Sequence, residues 1–332
     1  MAERVLVTGG CGFIGSHLVD KLVDQGFQVR VIDNLSTGYE RNICDHLADG
    51  KVELFKGDIQ DTDAVAQAID GCNQVFHLAA LADIVPSIEQ PRQYYNVNVA
   101  GTMNVLEAAR CAGVRKLIYA ASSSCYGIPD LFPTPESAEI RPQYPYALTK
   151  WLGEEIVRHW GLVFGMSFVS LRLFNVYGPR SRTGGTYGAV FGVFLAQKLA
   201  GKPLTIVGDG SQRRDFTFVS DVVEVMVRAA RSNLDNSVMN VGSGVAHSVS
   251  LLAELIGGDV VHIPKRPGEP DVTLADNSRI TEELGWKPEV PLSDGVQVML
   301  ANIDSWRDAP LWDPESIAKA TELWFEHLGD GQ

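Results

Sequence analysis

Short apolar or β-branched runs at Val5 to Thr8, Gln28 to Ile32, Val52 to Lys56, Gln74 to Leu78 and Lys116 to Ala121 punctuate the first part of the chain, each separated from the next by a helix-length stretch. That alternation predicts a parallel sheet with helices on both faces, because parallel neighbours need a crossover long enough to hold a helix. Helices are expected over Ser16 to Gln25, Asp61 to Ile69 and Tyr95 to Ala112, the last two stopped by Asp70-Gly71 and Gly113. A sixth strand, Ser167 to Leu173, follows a helix that starts near Tyr146, and beyond it Pro and Gly become frequent and the period irregular. The expected fold class is α/β: a doubly wound parallel sheet of the Rossmann type with a second, smaller substrate-binding α/β domain. Residues 1–174 plus about 218–244 would form the larger, sheet-bearing domain, and 175–217 plus 245–308 the smaller one. Residues 309–332 read as an appended C-terminal helix, with Ile317, Leu323, Trp324 and Leu328 at helix-like spacing.

Charge narrows the partners. The 332 residues carry 28 Lys plus Arg against 41 Asp plus Glu, a net charge of -13, which argues against nucleic acid and against an anionic membrane surface. No uncharged apolar run nears the roughly 20 residues of a membrane-spanning helix. The start passes from Met1 straight into a strand pattern without the features of a secretory leader. The five cysteines are odd in number and lack a C-x-x-C pair, so neither a disulfide framework nor a zinc site is expected; a cytoplasmic protein without metal fits best.

Candidate chemistry begins at Gly9-x-x-Gly12-x-x-Gly15, between the first strand and the first helix. Glycines there let backbone amides approach a pyrophosphate at a helix N-terminus, although a tight strand-to-helix turn would use the same residues. Asp33 ends the second strand, where a carboxylate can accept from both hydroxyls of an adenosine ribose and would repel a 2'-phosphate, which points to NAD rather than NADP. Tyr146 and Lys150 lie four apart and project from one helical face, so the ammonium can favour a phenolate; a packing tyrosine beside a surface lysine is the bland alternative. The third partner is Ser122-Ser123-Ser124 at the end of the fifth strand, where ligands collect in open α/β sheets.

With these motifs in order, the sequence resembles the extended short-chain dehydrogenase/reductase superfamily, and within it the NAD-dependent nucleotide-sugar epimerases and dehydratases, most of all UDP-hexose 4-epimerases. Asp33-Asn34-Leu35-Ser36-Thr37-Gly38, Gly57-Asp58-Ile59, His77-Leu78-Ala79-Ala80, Asn98, Ser122 through Gly127, and Arg172 through Arg180 carry the likeness along nearly the whole chain. The resemblance implies that Gly9, Gly12, Phe13, Ile14, Gly15, Asp33, Asn34, Ser36, Thr37, Gly38, Asp58, Ile59, Leu78, Ala79, Ala80, Asn98, Tyr146, Lys150 and Phe174 bind NAD, and that Ser122, Tyr146 and Lys150 are catalytic. It implies a UDP-sugar held by Ser87, Ser122, Ser123, Ser124, Tyr146, Asn175, Arg182, Val190, Arg214, Arg266, Glu269 and Thr273, with His77 structural. A homodimer built from the helices Tyr95 to Ala112 and Pro145 to Gly161 is also implied.

Dehydratases of this family carry an Asp-Glu pair after the hydroxyl residue, where this chain has Ser123-Ser124, and the decarboxylases place a glutamate nearby, which is absent between Ser122 and Tyr126. Both activities therefore lose ground to C4 epimerisation. By the same resemblance, Thr273 would stand where a large tyrosine in related epimerases excludes an N-acetyl group, which favours UDP-N-acetylglucosamine and UDP-N-acetylgalactosamine alongside plain hexoses. Arg182 keeps UDP-glucuronate as the rival, since a guanidinium can pair with a carboxylate.

Overall fold

A computed structural model describes residues 3–181 and 189–328 of the chain. The first half runs β1 (Arg4–Thr8), α1 (Phe13–Asp24), β2 (Gln28–Asp33), α2 (Cys44–Ala48), β3 (Val52–Lys56), α3 (Thr62–Ile69), β4 (Gln74–His77), α4 (Ile84–Glu89), α5 (Pro91–Tyr95), α6 (Thr102–Cys111), β5 (Lys116–Ser122), α7 (Pro145–Phe164) and β6 (Ser167–Leu173). The second half adds β7 (Val176–Tyr177), α8 (Val190–Leu199), β8 (Leu204–Val207), β9 (Arg213–Asp215), β10 (Thr217–Phe218), α9 (Val219–Arg231), β11 (Ser237–Val241), β12 (Ala246–Ser248), α10 (Val249–Ile256), β13 (Val260–Ile263), α11 (Ser278–Leu284), α12 (Leu292–Ala301), α13 (Pro314–Ala320) and α14 (Glu322–Leu328).

Seven strands form one sheet in the order β11-β6-β5-β4-β1-β2-β3, every neighbouring pair parallel. Period-two alternation on β1 explains the two covered faces. Val5 and Val7 join a core with Leu18, Leu22, Val222 and Met226 from α1 and α9, whereas Leu6 joins Val65, Leu106 and Val157 from α3, α6 and α7. The chain winds outward from β1 to β3, then returns to place β4 on the other side of β1, so a crevice opens between β1 and β4 at their carboxyl ends. Glycine loop, Asp33, Asp58, Leu78, Ser122 and Phe174 all follow or end strands at this edge. Segments 175–218 and 245–308 contribute the small pairs β10-β7, β12-β9 and β13-β8.

Two helical expectations change. The helix expected from Tyr95 begins at Pro91 and is interrupted by a π-helical stretch, Asn96–Gly101, before α6. The C-terminal helix is two helices, α13 and α14, separated at Thr321; Asp313 starts the first with a capping box, its carboxylate accepting from Ser316 N at 2.8 Å. No helix among the described residues is long and apolar enough to cross a membrane.

The helix that carries the tyrosine and lysine is tied to the sheet by a buried ion pair. On α7, Glu154 receives Arg172 from β6 through Nη2 at 2.5 Å and Nε at 3.1 Å, and Ser170 Oγ donates to it at 2.9 Å. Arg172 also donates to Tyr126 Oη at 2.8 Å, and Tyr126 donates to Asn240 Oδ1 at 2.7 Å. A buried charge pair persists only when its remaining polar positions are satisfied, and this network fixes α7 in register against β5 and β6.

Candidate active site

At the mouth of β1 the backbone packs on itself. Gly9 takes φ +72°, a Cβ on Gly15 would collide with Gly9 O, and one on Gly38 would stand 2.7 Å from the Cys11 carbonyl carbon. Gly12 caps α1, so Phe13, Ile14 and Gly15 form the first turn, whose amides have no carbonyl four residues back. Asp33, 8% exposed, accepts from Cys11 N at 2.9 Å and Leu35 N at 2.8 Å, one bond per carboxylate oxygen. Each oxygen keeps a lone pair for a ribose hydroxyl. Burial raises the Asp33 pKa and the two amides pull it back. Asn34 Nδ2 donates to Asp58 Oδ2 at 2.8 Å and Ser36 N to Asn34 Oδ1 at 3.0 Å, joining the ends of β2 and β3; Ser36 and Thr37 are exposed, and Ile59 is buried beneath. This glycine cradle, with a carboxylate rather than a cation at its rim, fits an adenine dinucleotide that lacks a 2'-phosphate.

His77 ends β4 and is 1% exposed. Thr102 Oγ1 donates to Asn98 O at 2.7 Å, so His77 Nε2 is the donor in its 2.9 Å bond to Thr102, and Nδ1 accepts from Thr8 Oγ1 at 2.7 Å. Thr8 Oγ1 in turn accepts from Leu78 N at 3.1 Å and Ala79 N at 3.0 Å. Burial, with Lys150 adding to it, drives the imidazole pKa down to about 3. A neutral ring with both nitrogens engaged braces the segment Leu78, Ala79 and Ala80. Asn98, on the π-helical stretch and 1% exposed, braces it from the other side: its Oδ1 accepts from Leu81 N at 2.8 Å, and its Nδ2 donates to Leu81 O at 3.0 Å and Thr149 Oγ1 at 3.1 Å.

Tyr146 and Lys150 occupy the first turns of α7, beside the end of β5. The phenol donates to Ser122 Oγ at 3.4 Å, while Ser122 donates to Ser124 Oγ at 3.0 Å. Lys150 is 5% exposed, with Nζ 4.5 Å from the centre of the Tyr119 ring. Burial pulls its ammonium down to about 7, opposed by the Glu154 carboxylate one turn along the helix. Burial also raises the Tyr146 phenol above its ordinary value, with Ser122 lowering it and Asp83 raising it. Both groups are thus pushed toward their neutral forms, and a lysine poised near 7 changes its charge within the physiological range. The arrangement can exchange a proton with an oxygen placed between Tyr146 and Ser122.

Across the cleft, Glu269 faces two arginines, with Arg266 Nη1 at 3.2 Å and Arg214 Nη2 at 3.8 Å. Arg214 also donates to Pro270 O at 2.8 Å. Exposed Asn175, at φ +27°, accepts from Thr273 Oγ1 at 2.7 Å. Ser123, Ser124 and Val190 are partly exposed, whereas Phe174 is buried with Tyr126. Ser87 is fully buried and donates to Ile84 O at 2.6 Å. Arg182 lies outside the described residues.

Four further residues belong to this neighbourhood. Tyr144 stacks on Tyr146 with centroids 6.4 Å apart and planes 7° apart, and Tyr94 meets the same ring edge-on at 6.5 Å. Asp83, held at φ +79°, acts electrostatically on the Tyr146 phenol. Trp324 of α14 reaches Tyr144, ring to ring at 6.5 Å. Tyr144 was readable only as a neighbour of Tyr146; nothing local in the sequence marks the others.

Comparison with known proteins agrees with this architecture. Residues 5–242 match the model of the NAD dependent epimerase/dehydratase family. A UDP-glucose 4-epimerase of Mycolicibacterium smegmatis is 39% identical over 302 residues, 88% of this chain and 96% of the relative. A UDP-N-acetylglucosamine 4-epimerase from Methanobrevibacter ruminantium, solved with UDP-N-acetylmuramic acid, superposes with a TM-score of 0.87 at 32% identity, covering 92% of this chain and 99% of that one. A UDP-glucuronic acid 4-epimerase from Bacillus cereus, solved with UDP-glucuronic acid and NAD, gives 0.82 at 31% identity, covering 91% and 99%.

Proposed function

The chain belongs to the NAD-dependent epimerase/dehydratase family, and from that premise we propose that it interconverts two UDP-sugars by inverting the configuration at C4. The observation that carries the reading is the Tyr146 phenol bonded to Ser122 Oγ at 3.4 Å, over a buried lysine at the carboxyl edge of the sheet. Bound NAD would supply the acceptor, and then the donor, of the C4 hydride. Gly9, Gly12 and Gly15 would hold its pyrophosphate, and Asp33 its adenosine ribose. Tyr146 takes the O4 proton and later returns it, and Ser122 holds the same oxygen. Between the two transfers the sugar is a 4-ketone and turns over in the cleft, so that its other face is presented. Arg214 and Arg266 grip the diphosphate, since a guanidinium offers paired donors to phosphate oxygens.

Among sugars, the reading favours N-acetylated hexosamines together with plain hexoses. Thr273 is short and already committed to Asn175, leaving room that a tyrosine would fill. Incubation with UDP-N-acetylglucosamine, UDP-glucose and UDP-glucuronate, with the products resolved by NMR, tests this directly. Thr273→Tyr is expected to abolish turnover of the N-acetylated pair and spare the hexose pair. A wild-type protein active only on UDP-glucuronate would overturn the assignment, and Arg182→Ala should then be the more damaging change.

We also assign a homodimer. Its support is the apolar surface left on the two helical segments, where Tyr95, Met103, Leu148, Leu162, Val163 and Phe164 are exposed. The expected solution mass is twice 36.2 kDa, and a concentration-independent monomer would contradict it. The odd number of cysteines, all five unpaired, favours a reducing compartment such as the cytoplasm.

A further inference from the structure

The segment Arg266 to Glu269 has no regular secondary structure of its own, yet it carries a guanidinium and a carboxylate that must hold a fixed geometry to recognise a diphosphate. Its support comes from the far end of the chain. Trp324, on α14, is 3% exposed and donates through Nε1 to Pro267 O at 2.7 Å. The Arg266 guanidinium lies over the Trp324 ring, with its central carbon 5.4 Å from the centroid. Leu328, one turn on, packs 3.7 Å from where a Cβ on Gly268 would stand, and Gly268 turns the loop at φ +68°. On its other side α14 packs against α4, and the indole also meets Tyr144, which stacks on Tyr146.

We propose that Trp324 is a positioning residue for nucleoside diphosphate binding: its ring face and N–H hold Arg266 and the Pro267 turn in the orientation that grips the phosphates. The proposal rests on Arg266 contacting the diphosphate, as in the function proposed above. An indole face attracts a guanidinium without consuming its N–H donors. Arg266 can therefore be held from one side while it presents donors to Glu269 and to phosphate on the other. A guanidinium ordered before the ligand arrives loses less side-chain freedom on binding, so the indole should act on affinity rather than on the chemical step.

The test uses the NAD-loaded protein, with UDP as the calorimetric probe and with steady-state kinetics on the UDP-sugar it turns over. Trp324→Leu keeps apolar bulk but removes the ring face, and is expected to weaken UDP binding about five- to tenfold and raise KM similarly, with kcat within twofold of wild type. Trp324→Phe restores a ring without the N–H and should recover the part of the loss that belongs to the ring face, leaving the part due to the bond to Pro267 O. Melting temperature and bound NAD establish that each variant is folded. Wild-type UDP affinity in Trp324→Leu, or equal weakening by Leu and Phe, would overturn the role of the ring face. Arg266→Ala separates the two claims: if it leaves UDP binding unchanged, the diphosphate reading itself fails, whereas weakening by Arg266→Ala but not by Trp324→Leu sinks this proposal alone. Should Trp324→Leu fail to fold, a double-mutant cycle between Trp324→Phe and Arg266→Lys replaces it; strict additivity there overturns the coupling.

Discussion

Replacing Tyr146 with Phe is expected to reduce turnover by about a hundred- to ten-thousandfold while leaving bound NAD and the fold intact. The substitution deletes one oxygen. Everything else that holds the ring is indifferent to it: Tyr144 lies parallel and offset at 6.4 Å, Tyr94 meets it edge-on, and the helix is anchored further along by Glu154 and Arg172. What disappears is the hydroxyl bonded to Ser122 Oγ at 3.4 Å, the group that exchanges a proton with the sugar. The measurement is kcat on purified variant with cofactor content determined by release and absorbance. Near-normal epimerisation would refute the mechanism. Tyr144→Phe supplies the control, because it keeps the stacked ring and removes a hydroxyl that is not given the proton-transfer role; its loss should be much smaller.

Most of what positions this tyrosine could be read in the sequence, because it depends on residues close in the chain. A strand run leading into Ser122, a Tyr and a Lys one helical turn apart, and a glycine loop directly after β1 are local patterns whose geometry follows from period two, period 3.6 and the stereochemistry of glycine. Strand ends from the pattern fell within about a residue for the same reason. The π-helical interruption at Asn96–Gly101 was not legible, since the apolar spacing through Val99, Met103 and Leu106 suits an unbroken helix equally well. Its cause is tertiary: a Cβ on Gly101 would stand 2.7 Å from Ile59 Cδ1, and Asn98 is committed to Leu81 and Thr149. The break at Thr321 escaped for a similar reason, and with it the contact that brings Trp324 to Pro267, 57 residues away. Ser87, which the resemblance places at the substrate, has its hydroxyl on Ile84 O within its own helix.

Lys150→Ala is the second large expectation, and it separates into a catalytic effect and a pH effect. Turnover should fall on the order of a hundredfold or more, with cofactor held more loosely than in Tyr146→Phe, because the ammonium both stabilises the phenolate form of Tyr146 and would contact the nicotinamide ribose. Undisturbed cofactor content together with undisturbed activity would remove both roles. The pH effect follows from burial. In the folded protein Lys150 titrates near 7, against about 10.4 in an unfolded chain. Between those values the unfolded state binds more protons, so this residue makes stability rise with pH from about 7 to about 10.4 and fall as pH drops back toward 7; below 7 both states are protonated and the dependence ends. The slope from one such group cannot exceed about 1.4 kcal/mol per pH unit. Urea unfolding of wild type and Lys150→Ala across pH 7 to 10 should therefore show wild-type stability gaining steadily on that of the variant as pH rises, since the variant no longer has a buried amine to keep neutral. A constant difference over that range would mean that the lysine keeps its charge inside the fold, held by the Glu154 carboxylate more strongly than burial opposes it.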